Sequence, residues 1–254
     1  MSWKHSIWRA AARGRELFGR PEPRGLRILG YHAVGAPIPG DPYGLAVSPA
    51  AFARQMELVA SCRFGRPVSL GGAAFDGSPE ICVTFDDGYL DTLTNASPVL
   101  ARLGLPFSVC VTPGLLDAGR PHLNWDELKD LAEVSNCEIG AHGLTHARLD
   151  SLDDSALARE LSESRRRLEE AVGEPVTVMT WPHGAASRRT AAAARTAGFA
   201  RAACSLYGTN DSSRDARLLM RVEITSFDDE RDFVGKLSGT WDWFSLRQGD
   251  PAGR

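Results

Sequence analysis

Two adjacent acidic residues at the end of an apolar strand constrain this chain more than any other feature. The run Ile81–Phe85 predicts a buried strand, and Asp86, Asp87 and Gly88 follow it directly. Two carboxylates in one site resist ionising together, so the pair is unfavourable at a strand end unless a cation lies beside it. The pair therefore predicts a metal site, although an Asp-Gly step alone is more typical of a turn.

A second motif later in the chain offers nitrogen ligands. Ile139–Ala141 predicts another short strand, and His142 and His146 follow it in an HxxxH spacing. Both imidazoles can face one point on a helical turn or a tight loop, and neutral imidazole is the commonest nitrogen ligand of zinc-like cations. With Asp87 they would form a His/His/carboxylate set with open positions, which is typical of a catalytic site, and Asp86 would remain free as a general base.

Three segments together resemble a known family. TFDDGY (84–89), AHGLTH (141–146) and MTWPHGA (179–185) are similar to the first three motifs of the polysaccharide deacetylases, the carbohydrate esterases that share the NodB homology domain. The resemblance extends from about Leu26 to Phe244. It implies an α/β fold, a distorted (β/α)7 barrel, and a hydrolase that removes N-acetyl groups from N-acetylhexosamine units of a polysaccharide, oligosaccharide or glycolipid precursor.

The resemblance also implies roles for individual residues. Asp86 would be the catalytic base, and Asp87, His142 and His146 would hold the metal. Zn²⁺ is the default cation for this ligand set, but Co²⁺, Ni²⁺, Mn²⁺ or Fe²⁺ would also suit it. The residues expected to contact the substrate are Tyr89, Trp125, Pro182, His183 and Arg221. Trp125 could instead be a core residue, which is the favoured interpretation.

Two positions depart from the family's pattern. Thr180 stands where the third motif often carries an arginine braced against the base, and Arg221 on another predicted strand could supply that cation. The usual C-terminal Leu-x-His is absent, since no histidine follows His183. Tyr31-His32 resembles the Tyr-His strand of the family's permuted branch, and the first and last strands of a closed barrel are neighbours. His32 is therefore the predicted general acid and His183 the alternative; a histidine hydrogen-bonded at a strand end is the remaining interpretation of His32.

The order of the predicted elements agrees with a barrel. Strands that alternate with helices indicate a parallel sheet, and seven such units favour closure. The carboxyl ends of parallel barrel strands share one face, so the acids, the histidines and the Pro182 loop are expected to meet there. The predicted strands are 26–31, 81–85, 107–111, 138–140, 176–181, 200–205 and 219–224.

Composition indicates one catalytic domain (25–254) behind a basic N-terminal extension (1–24). A net charge of −3 gives no electrostatic reason to expect nucleic acid as a partner. The extension lacks the apolar core of a signal peptide, and the five cysteines form no CxxC pair, so a reducing, cytoplasmic location is expected. The extension is expected either to lie on an acidic membrane surface or to pack on the barrel; its apolar and basic residues are Trp3, Ile7, Trp8, Leu17 and Phe18 among Lys4, Arg9, Arg13, Arg15 and Arg20.

Two other functions remain open at this point. The same fold could hydrolyse a non-sugar amide, as some relatives are thought to do. A catalytically silent carbohydrate-binding barrel is the second alternative, and the missing Leu-x-His is the observation that favours it. Retention of both acids and both histidines argues against a binding-only protein, because such a protein has no need of the carboxylate pair.

Overall fold

The computed structural model describes residues 8–10, 12–14 and 21–253. The strands are β1 (Leu26–Tyr31), β2 (Ala33–Val34), β3 (Ala46–Val47), β4 (Arg66–Val68), β5 (Glu80–Phe85), β6 (Phe107–Val111), β7 (Cys137–Ala141), β8 (Val178–Thr180), β9 (Arg201–Cys204) and β10 (Leu219–Glu223). The helices are α1 (Pro49–Ala60), α2 (Ser97–Leu103), α3 (Pro113–Leu116), α4 (Trp125–Ala132), α5 (Asp154–Val172), α6 (Arg188–Thr196) and α7 (Glu230–Ser238). Short helical turns lie at Thr92–Ala96, Leu149–Ser151, Pro182–Gly184, Asp242–Arg247 and Pro251–Gly253.

Seven parallel strands close into a barrel. β1 pairs with β10 on one side and with β5 on the other, and the remaining strands run in the order β10-β9-β8-β7-β6-β5. The predicted distorted (β/α)7 barrel is confirmed, and each of the seven predicted strands is present with its ends shifted by at most two residues.

One strand of the sheet is absent from the prediction. β4 pairs with the first half of β5, where Arg66 lies opposite Glu80, whereas β6 pairs with the second half, where Val83 lies opposite Phe107. The segment Arg66-Pro67-Val68 is short, carries a proline and has no apolar alternation, so its sequence does not indicate a strand. It fills the gap that opens between β5 and β6 at the amino ends of the barrel strands.

Apolar side chains form two layers. A smaller cluster lies inside the barrel and draws on alternate strand positions such as Ile28, Cys82 and Val178. A larger cluster lies between the strands and the surrounding helices and includes Phe52 of α1 and Leu157 of α5. Strands that are covered on both faces have nearly continuous apolar sequences, which is why these strands can be predicted from the sequence.

The helices begin and end at the residues that their sequence signals indicate. The Ser48 side chain accepts the N–H of Ala51 at the start of α1. Asn124 and Glu127 form a reciprocal capping box at the start of α4. Gly173 ends α5 in the left-handed conformation with φ 75°. These local signals determine the ends of the helices and therefore the points at which the chain enters the next strand.

The described part of the N-terminal extension lies against the barrel. The Trp8 ring is 5.0 Å from that of Phe244, Arg9 is 2.5 Å from Asp232, and Arg13 is 2.6 Å from Asp229. Trp3, Lys4, Ile7, Arg15, Leu17, Phe18 and Arg20 lie outside the described residues, and membrane contact by this extension stays a prediction. Among the helices that the structure describes, none is long and apolar enough to cross a bilayer.

Candidate active site

The carboxyl ends of the barrel strands bring the predicted site residues together. Asp86 and Asp87 follow β5, and His142 begins the loop after β7. Pro182 follows β8, and His32 follows β1. Residues far apart in the chain therefore meet because parallel strands end at one face of the barrel.

Asp87, His142 and His146 form a compact group of potential metal ligands. Asp87 Oδ1 lies 3.6 Å from Nε2 of His142 and 3.3 Å from Nε2 of His146. One ligand atom from each residue lies within 4.8 Å of the others. Asp87 Oδ1 is buried and, among the described residues, has no hydrogen-bond partner, which calls for an explanation in a native fold. A divalent cation would explain it, because two imidazole nitrogens and a carboxylate suit zinc and similar metals.

The backbone at this site is bent in an unusual way. Asp87, His146 and His183 have φ values of 69°, 62° and 59°, in the left-handed region that non-glycine residues rarely adopt. Such conformations persist only where the surrounding structure imposes them, and they collect at functional sites. Here they turn two metal-ligand candidates and a neighbouring histidine toward one point.

Thr180 connects the metal-ligand group with the predicted base. His142 Nδ1 lies 2.7 Å from Thr180 Oγ1 and 3.0 Å from the Thr180 carbonyl oxygen. The Thr180 hydroxyl donates to Asp86 Oδ1 at 2.8 Å. A hydrogen bond from Nδ1–H leaves Nε2 of His142 free to bind a cation, as in many histidine metal sites. The threonine in the third motif is thus part of the site.

Asp86 forms a buried ion pair with Arg221 of β10. Arg221 donates to both carboxylate oxygens, at 2.7 and 2.6 Å, and both residues are 1% exposed. Burial alone would raise the pKa of Asp86, but Arg221, His142 and His32 hold it well below its usual range. A Cβ at Gly30 would lie 3.1 Å from the Arg221 side chain, so glycine leaves room for the guanidinium. The placement of Arg221 among substrate contacts is therefore wrong; its side chain is enclosed and orients Asp86.

His32, which follows β1, lies beside Asp86. Its Nε2 is 3.9 Å from Asp86 Oδ2, and its Nδ1 is 3.1 Å from Oε1 of Glu223. Burial would lower the pKa of His32, but the negative charges of Glu223, Asp86 and Asp87 raise it to about 9. Sequence reasoning missed Glu223, although it lies two residues after Arg221 on one strand and so faces the same side of the sheet.

Tyr89, Pro182 and His183 surround this cluster. Tyr89 is half-buried, its ring lies 4.8 Å from that of His122, and burial with the charge of Asp87 raises its pKa to about 12. Pro182 is buried, whereas His183 is exposed and directs Nε2 to the His146 carbonyl oxygen at 3.2 Å. His183 thus lies against a metal-ligand candidate, and His32 is the histidine beside Asp86.

Trp125 lies in a different environment. Its indole N–H donates to Asp117 Oδ1 at 2.7 Å, and the Arg167 guanidinium lies 5.0 Å from its ring. The ring packs against the apolar layer between strands and helices. The structure does not bring Trp125 into the acid and histidine cluster, in agreement with the core-packing interpretation.

Comparisons with known proteins point to one family. A family model described as polysaccharide deacetylase matches residues 76–202, half of the chain. The curated protein "Putative polysaccharide deacetylase YxkH" of Bacillus subtilis (strain 168) is 24% identical over 145 residues, which are 57% of this chain and 51% of that protein. The chain thus spans about half the length of this curated relative.

Solved structures show the same fold. BC0361, a polysaccharide deacetylase from Bacillus cereus, is similar with a TM-score of 0.73 and 22% identity over 84% of this chain and 69% of that one. IcaB from Ammonifex degensii has a TM-score of 0.71 and 22% identity over 87% and 99% of the two chains. The Streptococcus pyogenes deacetylase PplD has a TM-score of 0.69 and 18% identity over 85% and 99%. Since the match of the family model covers both the two-acid and the two-histidine motifs, the chain belongs to the polysaccharide deacetylase family.

Proposed function

We propose that this protein is a metal-dependent hydrolase that removes N-acetyl groups from N-acetylhexosamine units of a polysaccharide, oligosaccharide or glycolipid precursor. The observation that carries the proposal is the buried Asp87 carboxylate, which faces two histidines and lies next to a second carboxylate with its own partner. Family membership and the structure of PplD, which was solved in complex with acetate, support this reaction class.

Asp87, His142 and His146 would hold the cation, and Zn²⁺ is the first candidate among several that suit these donors. When bound, such a cation polarises the acetamide carbonyl and lowers the pKa of an attacking water molecule. Asp86 takes the proton from that water. Arg221 and Thr180 keep Asp86 ionised and fix its orientation, so that its carboxylate is ready to accept the proton.

Departure of the amine requires a proton from the protein. His32 supplies it, because the charge of Glu223 keeps its imidazole protonated at neutral pH. The carbon–nitrogen bond breaks as the amine receives this proton, and acetate and a free amino sugar result. The backbone N–H of Tyr89 stabilises the oxyanion, and Tyr89, Pro182 and His183 border the bound sugar.

Acetate release from a panel of N-acetylhexosamine oligomers and glycolipids tests this function. The Zn²⁺-loaded protein is compared with the same protein after treatment with a chelator and with the Asp86→Asn variant. We expect release that both changes abolish, with metal still bound to the variant. Loss of metal from Asp86→Asn would contradict the division of roles between the two acids.

The Asp86→Asn variant needs a control for folding, because it leaves Arg221 buried without its counterion. Circular dichroism and the measured metal content show whether the variant keeps its native structure. If the folded, metal-loaded wild type releases acetate from no member of the panel, the deacetylase proposal is wrong. A non-sugar amide substrate or a binding-only barrel would then replace it.

A further inference from the structure

The loop between His142 and His146 is shaped around a buried carboxylate from another element. Glu160 lies on α5 and is 5% exposed. Its Oε2 accepts the backbone N–H groups of Leu144 at 2.8 Å and Thr145 at 3.0 Å, and its Oε1 accepts the Thr145 hydroxyl at 2.6 Å. Three donors from the segment between the two metal-ligand candidates therefore converge on one side chain.

The backbone of this loop creates the place that Glu160 fills. Gly143 and His146 have φ values of 69° and 62°. Left-handed residues turn successive N–H groups to one side, where they form a concavity that binds an anion. A Cβ at Gly143 would lie 3.2 Å from Pro182 Cγ and 3.4 Å from Glu160 Oε2, so a larger residue would crowd this contact. The anion in this concavity is supplied by the protein itself.

Other contacts fix the carbonyl groups of the loop. The His142 carbonyl oxygen accepts the Thr112 hydroxyl at 2.7 Å, and the Leu144 carbonyl oxygen accepts the Gly114 N–H at 2.9 Å. Glu160 complements them by binding the N–H groups of Leu144 and Thr145. Removal of its charge would leave these donors without a strong acceptor, because charge-assisted hydrogen bonds are about twice as strong as neutral ones.

We infer that Glu160 is a positioning residue for the metal site, and the inference rests on the metal site proposed above. Glu160 holds the loop so that Nε2 of His146 faces Asp87 at 3.3 Å. His146 depends on this support more than His142 does, because its side chain is 30% exposed and that of His142 is 2% exposed. Outer-shell partners of this kind change metal affinity by about 10–100-fold when they are removed.

The test is the Zn²⁺ affinity of Glu160→Gln, measured by competition with a chromophoric chelator, together with the visible absorption of the Co²⁺-loaded protein. Glu169→Gln is the matched control. Glu169 lies on the same helix and accepts the Val176 N–H at 3.0 Å and an Arg165 N–H at 2.8 Å, but it does not touch the ligand loop. We expect Glu160→Gln to bind Zn²⁺ about 10–100-fold more weakly and to show an altered Co²⁺ spectrum, and Glu169→Gln to match the wild type.

A wild-type Zn²⁺ affinity and Co²⁺ spectrum in Glu160→Gln would overturn the inference. An equal loss of affinity in Glu169→Gln would also overturn it, because a general effect on α5 would then explain the result. If Glu160→Gln does not fold, Thr145→Val replaces it, because this variant removes one donor to Glu160 and keeps both backbone contacts. A weaker Zn²⁺ affinity in Thr145→Val that Thr145→Ser restores supports the inference. An unchanged Zn²⁺ affinity in Thr145→Val overturns it. Failure of the wild type to bind Zn²⁺ would instead contradict the proposed metal site itself.

Discussion

The two ends of the barrel both contain charged side chains that are at least partly buried, but they use them differently. At the amino ends of the strands, Glu138 accepts from the Gly71 N–H at 2.9 Å and the Ser108 hydroxyl at 2.6 Å, and Arg201 donates to the Leu70 and Ala73 carbonyl oxygens at 2.5 and 2.8 Å. These side chains anchor the loop 69–75 across the amino ends of the barrel strands. Their partners come from the protein itself.

The carboxyl ends of the strands show a different arrangement. Asp87 keeps a buried oxygen that has no partner among the described residues, and its backbone is left-handed. Asp86 has its full set of partners, yet it lies beside His32 and His142 at 3.9 Å from each. The partnered charges at the amino ends thus maintain structure, whereas the unpartnered oxygen of Asp87, beside two histidines, indicates a site for a bound cation. The following predictions test this contrast.

The largest expected effect belongs to Asp87→Asn. Asparagine has a similar size and tolerates the left-handed backbone, but it removes the charge that would bind the cation. We expect turnover to fall about 1000-fold, because a catalytic metal supplies several kcal/mol of transition-state stabilisation. We also expect the unfolding free energy of the metal-free protein to stay the same or rise, because the charge of a buried carboxylate with an unpartnered oxygen is removed. Acetate release by the metal-loaded proteins measures the first effect, and urea unfolding in the presence of chelator measures the second. A clear loss of stability would contradict the proposed difference between the two ends of the barrel.

Arg221→Met should show that Asp86, unlike Asp87, depends on a protein partner. The substitution leaves Asp86 buried without its counterion, so we expect a loss of about 3–5 kcal/mol in the free energy of unfolding. Turnover should fall as well, because the carboxylate loses its orientation. Arg201→Met at the opposite end is the control: it should cost about 1–3 kcal/mol and leave turnover per folded molecule unchanged. A stability loss in Arg221→Met no larger than that of Arg201→Met would contradict this account of Asp86.

The features that the sequence predicted well are local ones. Each metal-ligand candidate lies within a few residues of the end of an apolar run, so the strand and the motif can be recognised together. The pairing of Arg221 with Asp86 could also be anticipated, because Thr180 left the base without the usual arginine. Barrel closure then placed His32, at the end of β1, close to Arg221 on the neighbouring strand β10, as the pairing of these strands shows.

The features that the sequence did not predict depend on distant contacts. Glu160 belongs to a helix whose pattern is explained by packing alone, and only the folded chain shows what its carboxylate binds. The spacing of Glu223 from Arg221 places both on one side of β10, but the sequence does not show that Glu223 lies against His32. β4 is held by its register against β5 and by no apolar pattern of its own. Trp125 illustrates a second limit of sequence-based prediction. An aromatic residue at the start of a helix is equally compatible with a sugar-binding surface and with packing in the apolar layer.

Glu223→Gln should test the assignment of His32 as the general acid, because it should shift the alkaline midpoint of the pH dependence of turnover. The pKa of His32 is raised to about 9 from an ordinary value near 6.5, so its contribution to stability is complete below about pH 6.5 and is lost as the pH rises through about 9. Without the charge of Glu223, the effect of burial lowers the pKa of His32. We therefore expect the alkaline limb of turnover to move toward lower pH. Both proteins are compared with the same metal bound, so the charge of the cation acts on both. An unchanged alkaline midpoint would exclude His32 as the titrating acid.

Glu138→Gln should have the smallest effect. The glutamine oxygen, in the place of Oε2, can still accept both the Gly71 N–H and the Ser108 hydroxyl, but the charge and the second contact of the Gly71 N–H, with Oε1 at 3.1 Å, are lost. We expect the free energy of unfolding to fall by about 1 kcal/mol, since one hydrogen bond is lost at a partly buried position. Metal content and turnover per folded molecule should match the wild type, because the loop 69–75 lies at the end of the barrel away from the acids and histidines. A fall in turnover at constant metal content would show that anchoring at the amino ends affects the geometry of the site, and the two ends of the barrel could then no longer be treated as separate.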